Sequence, residues 1–169
     1  MNIILIGFMG VGKSEIGRGL AARLGINYID TDETIEKTEG RKVSEIFEKD
    51  GEPHFRDLET EVIKTLEDYD NFVISTGGGI VLREENVKML KEIGPLVLLT
   101  AKAEVIYRRL KEAKDRPLLE QGDKMEKIVE ILDARYPAYE KAADFKVDTS
   151  NIIPEAAVEE IIKWIKRSK

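Results

Sequence analysis

GFMGVGKS, residues 7–14, is the stretch that decides the fold. It follows the apolar run Ile3–Ile6, which is typical of a buried strand, and it precedes apolar residues at helical spacing, Ile16, Leu20 and Leu24. A strand, a glycine-rich loop that ends in Gly-Lys-Ser and a helix together predict a phosphate-binding loop. We therefore expect this chain to bind a nucleoside triphosphate.

The residue types in this loop suit phosphate and Mg²⁺. Glycines allow backbone N–H groups to turn toward phosphate oxygens, and the following helix adds free N–H groups and the positive end of its dipole. Lys13 is expected to reach the outer phosphates, and the Ser14 hydroxyl is expected to coordinate Mg²⁺. A glycine-rich turn with an incidental lysine is the alternative, and the complete motif directly after a strand disfavours it.

Composition limits the class of protein. The chain has 169 residues, enough for one domain, with 42% apolar residues, 36% charged residues, no cysteine and a net charge of −6. The negative charge argues against nucleic-acid binding, the lack of cysteine excludes disulfides and thiolate metal sites, and no apolar run approaches the ~20 residues of a membrane helix. We expect a single-domain cytoplasmic monomer, residues 1–169, that contacts neither nucleic acid nor membrane.

Strand-like and helical segments alternate along the whole chain. The predicted strands are five short runs: Ile3–Ile6, Asn27–Ile29, Phe72–Ser75, Leu96–Leu99 and Phe145–Val147. Alternation of this kind predicts an α/β fold, a three-layer sandwich with a five-stranded parallel sheet. Pro137 is expected to kink or end the helix that contains Arg135.

Candidate binding groups follow the second and third predicted strands. Asp30-Thr31-Asp32 ends the second strand, and Gly77-Gly78-Gly79 comes directly after the third. Because ligands of such sheets bind at the carboxyl ends of the strands, we expect both segments to face a ligand. A helix cap at Thr31 or Asp32 and a flexible turn at the glycines are the alternatives. The aspartate that many phosphate-loop proteins carry after such a strand is absent from the sequence.

Two arginines are unusual in their sequence context. Arg56 lies in the first turn of a predicted helix, where the positive dipole end disfavours a cation, so we expect it to have an anionic partner. Arg116 lies between Asp115 and Pro117 in the polar segment 111–123. We interpret this segment as a mobile lid that closes an arginine onto phosphates, with a solvated linker as the alternative.

The motifs narrow the class of phosphate-loop protein. Regulatory GTPases need D-x-x-G and N-K-x-D segments, and neither occurs in the sequence. A mechanical ATPase would be longer and would carry the missing aspartate. A small kinase that acts on a small molecule remains.

In order and spacing, the motifs together resemble those of shikimate kinases. They span nearly the full chain: residues 7–14, 30–32, 55–56 (Phe-Arg), 77–79, 116–118 (Arg-Pro-Leu), and Arg135 with Tyr139. The resemblance implies ATP-dependent phosphorylation of the 3-hydroxyl of shikimate, which gives shikimate 3-phosphate and ADP on the route to chorismate and the aromatic amino acids. It also implies the nucleoside-monophosphate-kinase-like fold, with a substrate-binding segment at about 32–62 and the lid at about 111–123.

The resemblance further implies the roles of single residues. The catalytic residues would be Lys13 and Arg116, which hold the transferring phosphoryl group, and Asp32, which binds the shikimate hydroxyls and can accept the proton. Mg²⁺ would be held by Ser14, with Asp30 acting through water. The residues implied to bind ATP are Gly10, Val11, Gly12, Lys13, Ser14, Glu15, Arg109, Arg116 and Pro154, with Arg109 and Pro154 flanking the adenine.

The shikimate carboxylate would be clamped by Arg56 and Arg135, with the backbone of Gly77, Gly78 and Gly79 facing the ring. Elementary chemistry agrees, because a carboxylate suits the bidentate fork of arginine, which lysine cannot copy. A gluconate-type kinase of the same fold is the nearest alternative and should not need this arginine pair. A nucleotide-dependent regulatory module without activity is a second alternative, and it should lack Lys13, Asp32 or Arg116, all of which are present.

Overall fold

A computed structural model describes residues 1–111, 116–120 and 122–168. These residues form one sheet of five parallel strands in the order β2-β3-β1-β4-β5. The strands are β1 Ile3–Ile6, β2 Asn27–Asp30, β3 Phe72–Ser75, β4 Leu96–Thr100 and β5 Phe145–Asp148. All five predicted strands are confirmed, and the ends of three of them differ by one residue from the prediction.

Eight α-helices in the described part of the chain connect and cover these strands. They are α1 Lys13–Leu24, α2 Thr31–Glu39, α3 Val43–Asp50, α4 Glu52–Thr65, α5 Glu84–Ile93, α6 Ala103–Leu110, α7 Lys124–Ala142 and α8 Pro154–Arg167. Two short 3-10 turns, Ile80–Leu82 and Pro117–Leu119, complete the described elements. The predicted α/β architecture with a parallel sheet is confirmed.

The centre of the sheet is fully apolar. All four residues of β1 are completely buried, as are Leu96–Leu99 of β4. A strand can be buried on every side chain only when both faces of its sheet are covered, so helices pack on both faces. In register, Ile4 lies opposite Ile74 on one side and Leu96 on the other.

The strand order places the phosphate-binding loop in the middle of the carboxyl edge. β1 leads directly into this loop and lies between β3 and β4. On the β3 side, Asp30 at the end of β2 lies opposite Ser75 at the end of β3. The loop, the Asp30–Asp32 segment and the triple glycine therefore meet at one edge of the sheet, beside the point where the strand order reverses.

Two of the alternatives stated above are wrong: an end of the helix at Pro137 and a helix cap at Thr31 or Asp32. Pro137 does not end its helix, because α7 continues to Ala142. Pro137 and Asp133, whose carbonyl loses its helical N–H partner, are both solvent-exposed, so water can replace the missing bond. The N-cap of α2 is Asp30, not Thr31 or Asp32: its carboxylate accepts hydrogen bonds from the N–H groups of Asp32 and Glu33. Asp32 is therefore not needed as a cap.

No helix among the described residues is both long and apolar enough to cross a lipid bilayer.

Candidate active site

A cavity of about 670 Å³ opens at the carboxyl edge of the sheet. This volume is in the range of small-molecule sites, about 300–1,000 Å³. Ten residues that were predicted from the sequence to bind phosphate, metal or substrate line this cavity: Lys13, Ser14, Asp30, Asp32, Arg56, Gly77, Gly78, Gly79, Arg116 and Arg135. Groups that are up to 122 residues apart in sequence thus surround one space.

The phosphate-binding loop begins at Gly7. Its φ of 141° and the 2.3 Å between an added Cβ and the Leu99 carbonyl oxygen leave room for glycine alone. Lys13 Nζ donates hydrogen bonds to the carbonyl oxygens of Gly7 and Phe8, at 2.7 and 2.8 Å. The ammonium group is thereby held above the loop in a defined position.

The pKa of Lys13 is lowered to about 8, mainly by burial and also by the charges of Arg116 and Arg135, while Asp32 and Asp30 oppose the shift. The nearby carboxylates therefore only partly neutralise the positive charge of Lys13 in this cavity. An anion with two or more negative charges, such as the outer phosphates of a nucleotide, would supply the missing charge.

Ser14 and Asp30 form the pair that suits a divalent cation. Ser14 Oγ donates to Asp30 Oδ2 at 3.1 Å, while Asp30 Oδ1 caps α2. The described residues contain no group of three or more acidic or histidine side chains that could hold a metal ion by themselves. Mg²⁺ bound with a nucleotide needs only one or two protein oxygens, because phosphates and water supply the others. The two side chains fit that requirement.

Asp32 carries an unpaired buried oxygen. Its Oδ1 has no hydrogen-bond partner among the described residues. The pKa of Asp32 is raised to about 7, mainly by burial and also by the neighbouring carboxylates Asp30 and Glu59, against the opposing effect of Lys13 and Arg116. A buried carboxyl with this pKa can both accept a hydrogen bond from a hydroxyl and take its proton near neutral pH.

Arg56 has the anionic partner that its position in the helix predicted. Its Nη1 donates to Glu59 Oε2 at 2.8 Å and its Nη2 donates to Glu52 Oε1 at 3.0 Å, both from α4 itself. Glu59 is completely buried, whereas the Glu52 side chain is 44% exposed. The buried pair fixes the guanidinium, and the exposed Glu52 can yield its place to a ligand.

Gly77 and Gly79 leave room for these polar side chains. A Cβ on Gly79 would lie 2.4 Å from Arg56 Nη1, and a Cβ on Gly77 would lie 2.7 Å from Asp32 Oδ1 and 2.8 Å from Glu59 Oε1. Gly79 has a φ of −103°, which any residue adopts. The need for glycine here is therefore one of space: without side chains, the backbone comes into contact with the groups that face a ligand.

Gly78 likewise leaves space for the side chain of Arg135. A Cβ on Gly78 would lie 3.3 Å from Arg135 Nη1. Arg135 is buried on α7, and its guanidinium lies 5.9 Å from the centre of the Phe8 ring. Arg56 and Arg135, which come from different helices, thus approach adjacent glycines of one turn.

Comparison with known proteins identifies the family. The family model for shikimate kinase matches residues 9–166. The chain belongs to the shikimate kinase family. It is 49% identical over 166 residues to the shikimate kinase of Thermodesulfovibrio yellowstonii and 50% identical over 165 residues to that of Pelotomaculum thermopropionicum, covering 98% of this chain and 95% of the relative in both cases.

A solved structure supports the same assignment. The shikimate kinase of Acinetobacter baumannii in complex with shikimate has a TM-score of 0.96 and 35% identity, over 99% of this chain and 94% of the other. The chain is therefore a kinase of this family, an ATP-binding transferase, and the predicted family and fold are confirmed.

The structure describes only part of the segment that was predicted to be a lid. Residues 112–115 and 121 of the segment 111–123 lie outside the described residues. Arg116, Pro117 and Leu118 line the cavity, and Leu119 packs into the core with only 2% exposure. Arg116 is close enough for its charge to lower the pKa of both Lys13 and Asp32.

The two residues expected at the adenine lie outside the main cavity. Arg109 donates to the carbonyl oxygens of Gly10 and Thr149, both at 2.9 Å, so it braces the phosphate-binding loop. Pro154 lines a smaller cavity of about 140 Å³ that shares Glu15 with the main one. Their roles at the adenine stay predictions.

Glu59 is the site residue that the sequence reasoning missed. A glutamate inside an amphipathic helix looks like an ordinary surface residue when read alone. The available signal was its spacing: Glu59 follows Arg56 by three positions, which places both on one face of α4, and Phe55, Val62 and Ile63 show that this side of the helix is buried.

Proposed function

We propose that the cavity is the active site, in which the γ-phosphoryl group of ATP is transferred to the 3-hydroxyl of shikimate. The chain performs the reaction of its family, ATP-dependent phosphorylation of shikimate, a step in aromatic amino-acid biosynthesis. One observation carries the assignment of the site: Arg56 and Arg135 approach adjacent glycines, while the unpaired Asp32 oxygen lies against a third glycine of the same turn. The arrangement offers two cations and one acceptor to a small hydroxylated acid.

The carboxylate of shikimate binds between Arg56 and Arg135. Two guanidinium groups supply bidentate, charge-assisted hydrogen bonds to one carboxylate. Because Glu59 already neutralises part of the charge on Arg56, the clamp is stable before the substrate arrives. The substrate carboxylate displaces the exposed Glu52 from Arg56.

Asp32 binds the hydroxyl groups at the opposite end of the substrate. Its free Oδ1 accepts a hydrogen bond from a hydroxyl, which orients the attacking oxygen. Because its pKa is about 7, the carboxylate can also take the hydroxyl proton as the bond to phosphorus forms. Phosphoryl transfer depends mainly on such positioning and on charge stabilisation.

Lys13 and Arg116 hold the transferring phosphoryl group between them. Both cations line the cavity, and negative charge that shifts toward the leaving oxygen would be stabilised by them. Ser14 and Asp30 would hold Mg²⁺, with Asp30 acting through a water molecule. When bound, the cation would neutralise charge on the phosphate oxygens.

Substrate specificity tests this proposal directly. ADP release by the purified protein should be compared with shikimate, gluconate and nucleoside monophosphates as acceptors. We expect turnover with shikimate alone, because only this acceptor combines a carboxylate with ring hydroxyls at the spacing of the site. Faster turnover with gluconate than with shikimate would show that the proposed substrate is wrong. The monomeric state and the cytoplasmic location stay predictions.

A further inference from the structure

Tyr139 holds the triple glycine from outside the cavity. Its side chain is 2% exposed, and its hydroxyl donates a hydrogen bond to the carbonyl oxygen of Gly78, 61 positions earlier in the chain. The cavity is lined by Gly78 but not by Tyr139, which lies behind the turn. The reaction as described above makes no use of this buried hydroxyl.

A bond to the Gly78 carbonyl also orients the next N–H group. The carbonyl of Gly78 and the N–H of Gly79 belong to one planar peptide unit, which is trans here. In a trans peptide the C=O and N–H point in opposite directions. When Tyr139 fixes the carbonyl on its own side, the N–H of Gly79 must point away from Tyr139.

The N–H groups of Gly78 and Gly79 are the unused donors of this turn. Gly77 N–H donates to Thr31 Oγ1, and the following N–H groups of Ile80 and Leu82 donate to the carbonyls of Gly77 and Gly79. Within the described part of the chain, no hydrogen bond is made by the N–H of Gly78 or Gly79. Both glycines line the cavity, so these two N–H groups are available to a bound ligand.

The neighbouring arginines indicate which part of a ligand these two N–H groups would contact. Gly79 lies against the guanidinium of Arg56, and Gly78 lies against that of Arg135. An anion between the two arginines is therefore within reach of the same turn. Backbone N–H groups add to such a site because they carry partial positive charge and need no reorganisation.

We propose that Tyr139 is a positioning residue for the substrate carboxylate: it holds the Gly78–Gly79 peptide so that the Gly79 N–H, together with Arg56 and Arg135, binds that carboxylate. This inference rests on the proposed function. Tyr139 also follows Arg135 by one helical turn, so the same hydrogen bond anchors the part of α7 that carries Arg135. Burial raises the pKa of Tyr139, against the lowering effect of the Arg135 charge, so the hydroxyl remains a donor at neutral pH.

Replacing Tyr139 by phenylalanine removes only the hydroxyl. Tyr139→Phe should weaken shikimate binding about tenfold, because the peptide loses its anchor and one N–H contact is lost from the carboxylate. Binding would be measured by calorimetry with a non-hydrolysable ATP analogue present, and KM for shikimate and for ATP would be measured separately. Affinity for the ATP analogue and KM for ATP should stay within about twofold.

Tyr136→Phe is the matched control. Tyr136 lies on the same helix, is 38% exposed and carries the same hydroxyl away from the glycine turn, so its loss should leave both affinities unchanged. The carboxamide of shikimate supplies a second control. It lacks the charge that the turn recognises, so Tyr139→Phe should weaken its binding far less than that of shikimate.

Structural damage and lost positioning give different results. If Tyr139→Phe binds shikimate as tightly as the wild type, or if it weakens shikimate, the carboxamide and the ATP analogue equally, Tyr139 is not a positioning residue for the carboxylate. If the wild-type protein itself does not bind shikimate, the proposed function fails first. As a further check, Arg135→Lys combined with Tyr139→Phe should cost less than the product of the two single effects, because both act on one carboxylate. Independent effects would contradict the proposal.

Discussion

Arg56 and Glu59 form a hydrogen-bonded ion pair at 2.8 Å in which the carboxylate is completely buried. A buried charge of this kind is tolerated only with a partner, and burial raises the pKa of Glu59 although Arg56 opposes the shift. The pair holds one half of the proposed carboxylate clamp in place before any substrate is bound.

Removing the charge of Glu59 tests this role. Glu59→Gln keeps the shape but weakens the hold on Arg56, so we expect KM for shikimate to rise about tenfold with KM for ATP almost unchanged. Glu61→Gln is the control, since Glu61 is 66% exposed on the same helix and pairs with Lys64. Equal shikimate kinetics in the two variants would show that Glu59 has only a packing role.

Lys13 should act mainly on the chemical step. Its charge matters most as negative charge shifts during phosphoryl transfer, so Lys13→Ala should lower kcat about hundredfold or more in a folded protein. Steady-state kinetics together with circular dichroism check both parts. A folded variant with nearly normal kcat would remove Lys13 from the mechanism.

Asp32 gives the site a specific pH dependence. Its pKa is about 7 in the folded protein against 3.8 as the ordinary value. A carboxyl whose pKa is raised by folding contributes stability that is fully present below about pH 4 and is lost as the pH rises through 7. Asp32→Asn has no charge to bury, so its melting temperature should exceed that of the wild type at pH 8, and the difference should shrink toward pH 4.

The same substitution should damage catalysis. Asp32→Asn removes the basicity, and we expect kcat to fall about hundredfold or more with ATP affinity little changed. The pH profile of the wild type should show an acidic limb that the variant lacks. A carboxyl titration by NMR with a pKa near 4 for Asp32, or an active Asn variant, would contradict this role.

A buried polar contact links the Arg56 helix to the glycine turn. Thr60 Oγ1 donates to Asn86 Oδ1 at 2.8 Å, and Asn86 Nδ2 donates to the carbonyl oxygen of Ile80, directly after Gly79. Thr60→Val should therefore raise KM for shikimate several-fold, about threefold to tenfold, because the turn and Arg56 lose their common anchor. Thr65→Val on the same helix serves as the control, because within the described part of the chain its hydroxyl bonds only to the Val62 carbonyl. The same KM in both variants would disprove the link.

Much of the fold and the site could be predicted because the signals are local. The phosphate-binding loop, the Asp30–Asp32 segment and the triple glycine each follow a strand, and parallel strands bring their carboxyl ends to one edge. Arg56 was noticeable because it opposes the helix dipole. In each case a short stretch of sequence contains residues that folding alone does not require.

The other features of the site depended on the local backbone path or on contacts between distant segments. That Asp30 rather than Asp32 caps α2 is decided by the backbone path at the end of β2, which three adjacent polar residues cannot reveal. The glycines were expected to bring backbone close to a ligand, and their lack of side chains also makes room for Asp32, Glu59 and Arg56. Tyr139 gave no signal beyond its place in a motif, because its partner is a backbone carbonyl 61 residues away.

The carboxylate clamp is tested most directly by comparing shikimate with its carboxamide in the wild type, Arg56→Lys and Arg135→Lys. Lysine keeps the charge but not the fork, so each variant should raise KM for shikimate roughly tenfold to hundredfold and leave KM for ATP almost unchanged, since a charge-assisted contact contributes about 1.5–3 kcal/mol. The wild type should discriminate strongly against the carboxamide, and both variants should discriminate much less. If the wild type phosphorylates the carboxamide as well as shikimate, Arg56 and Arg135 do not clamp a carboxylate, and the proposed substrate pose is wrong.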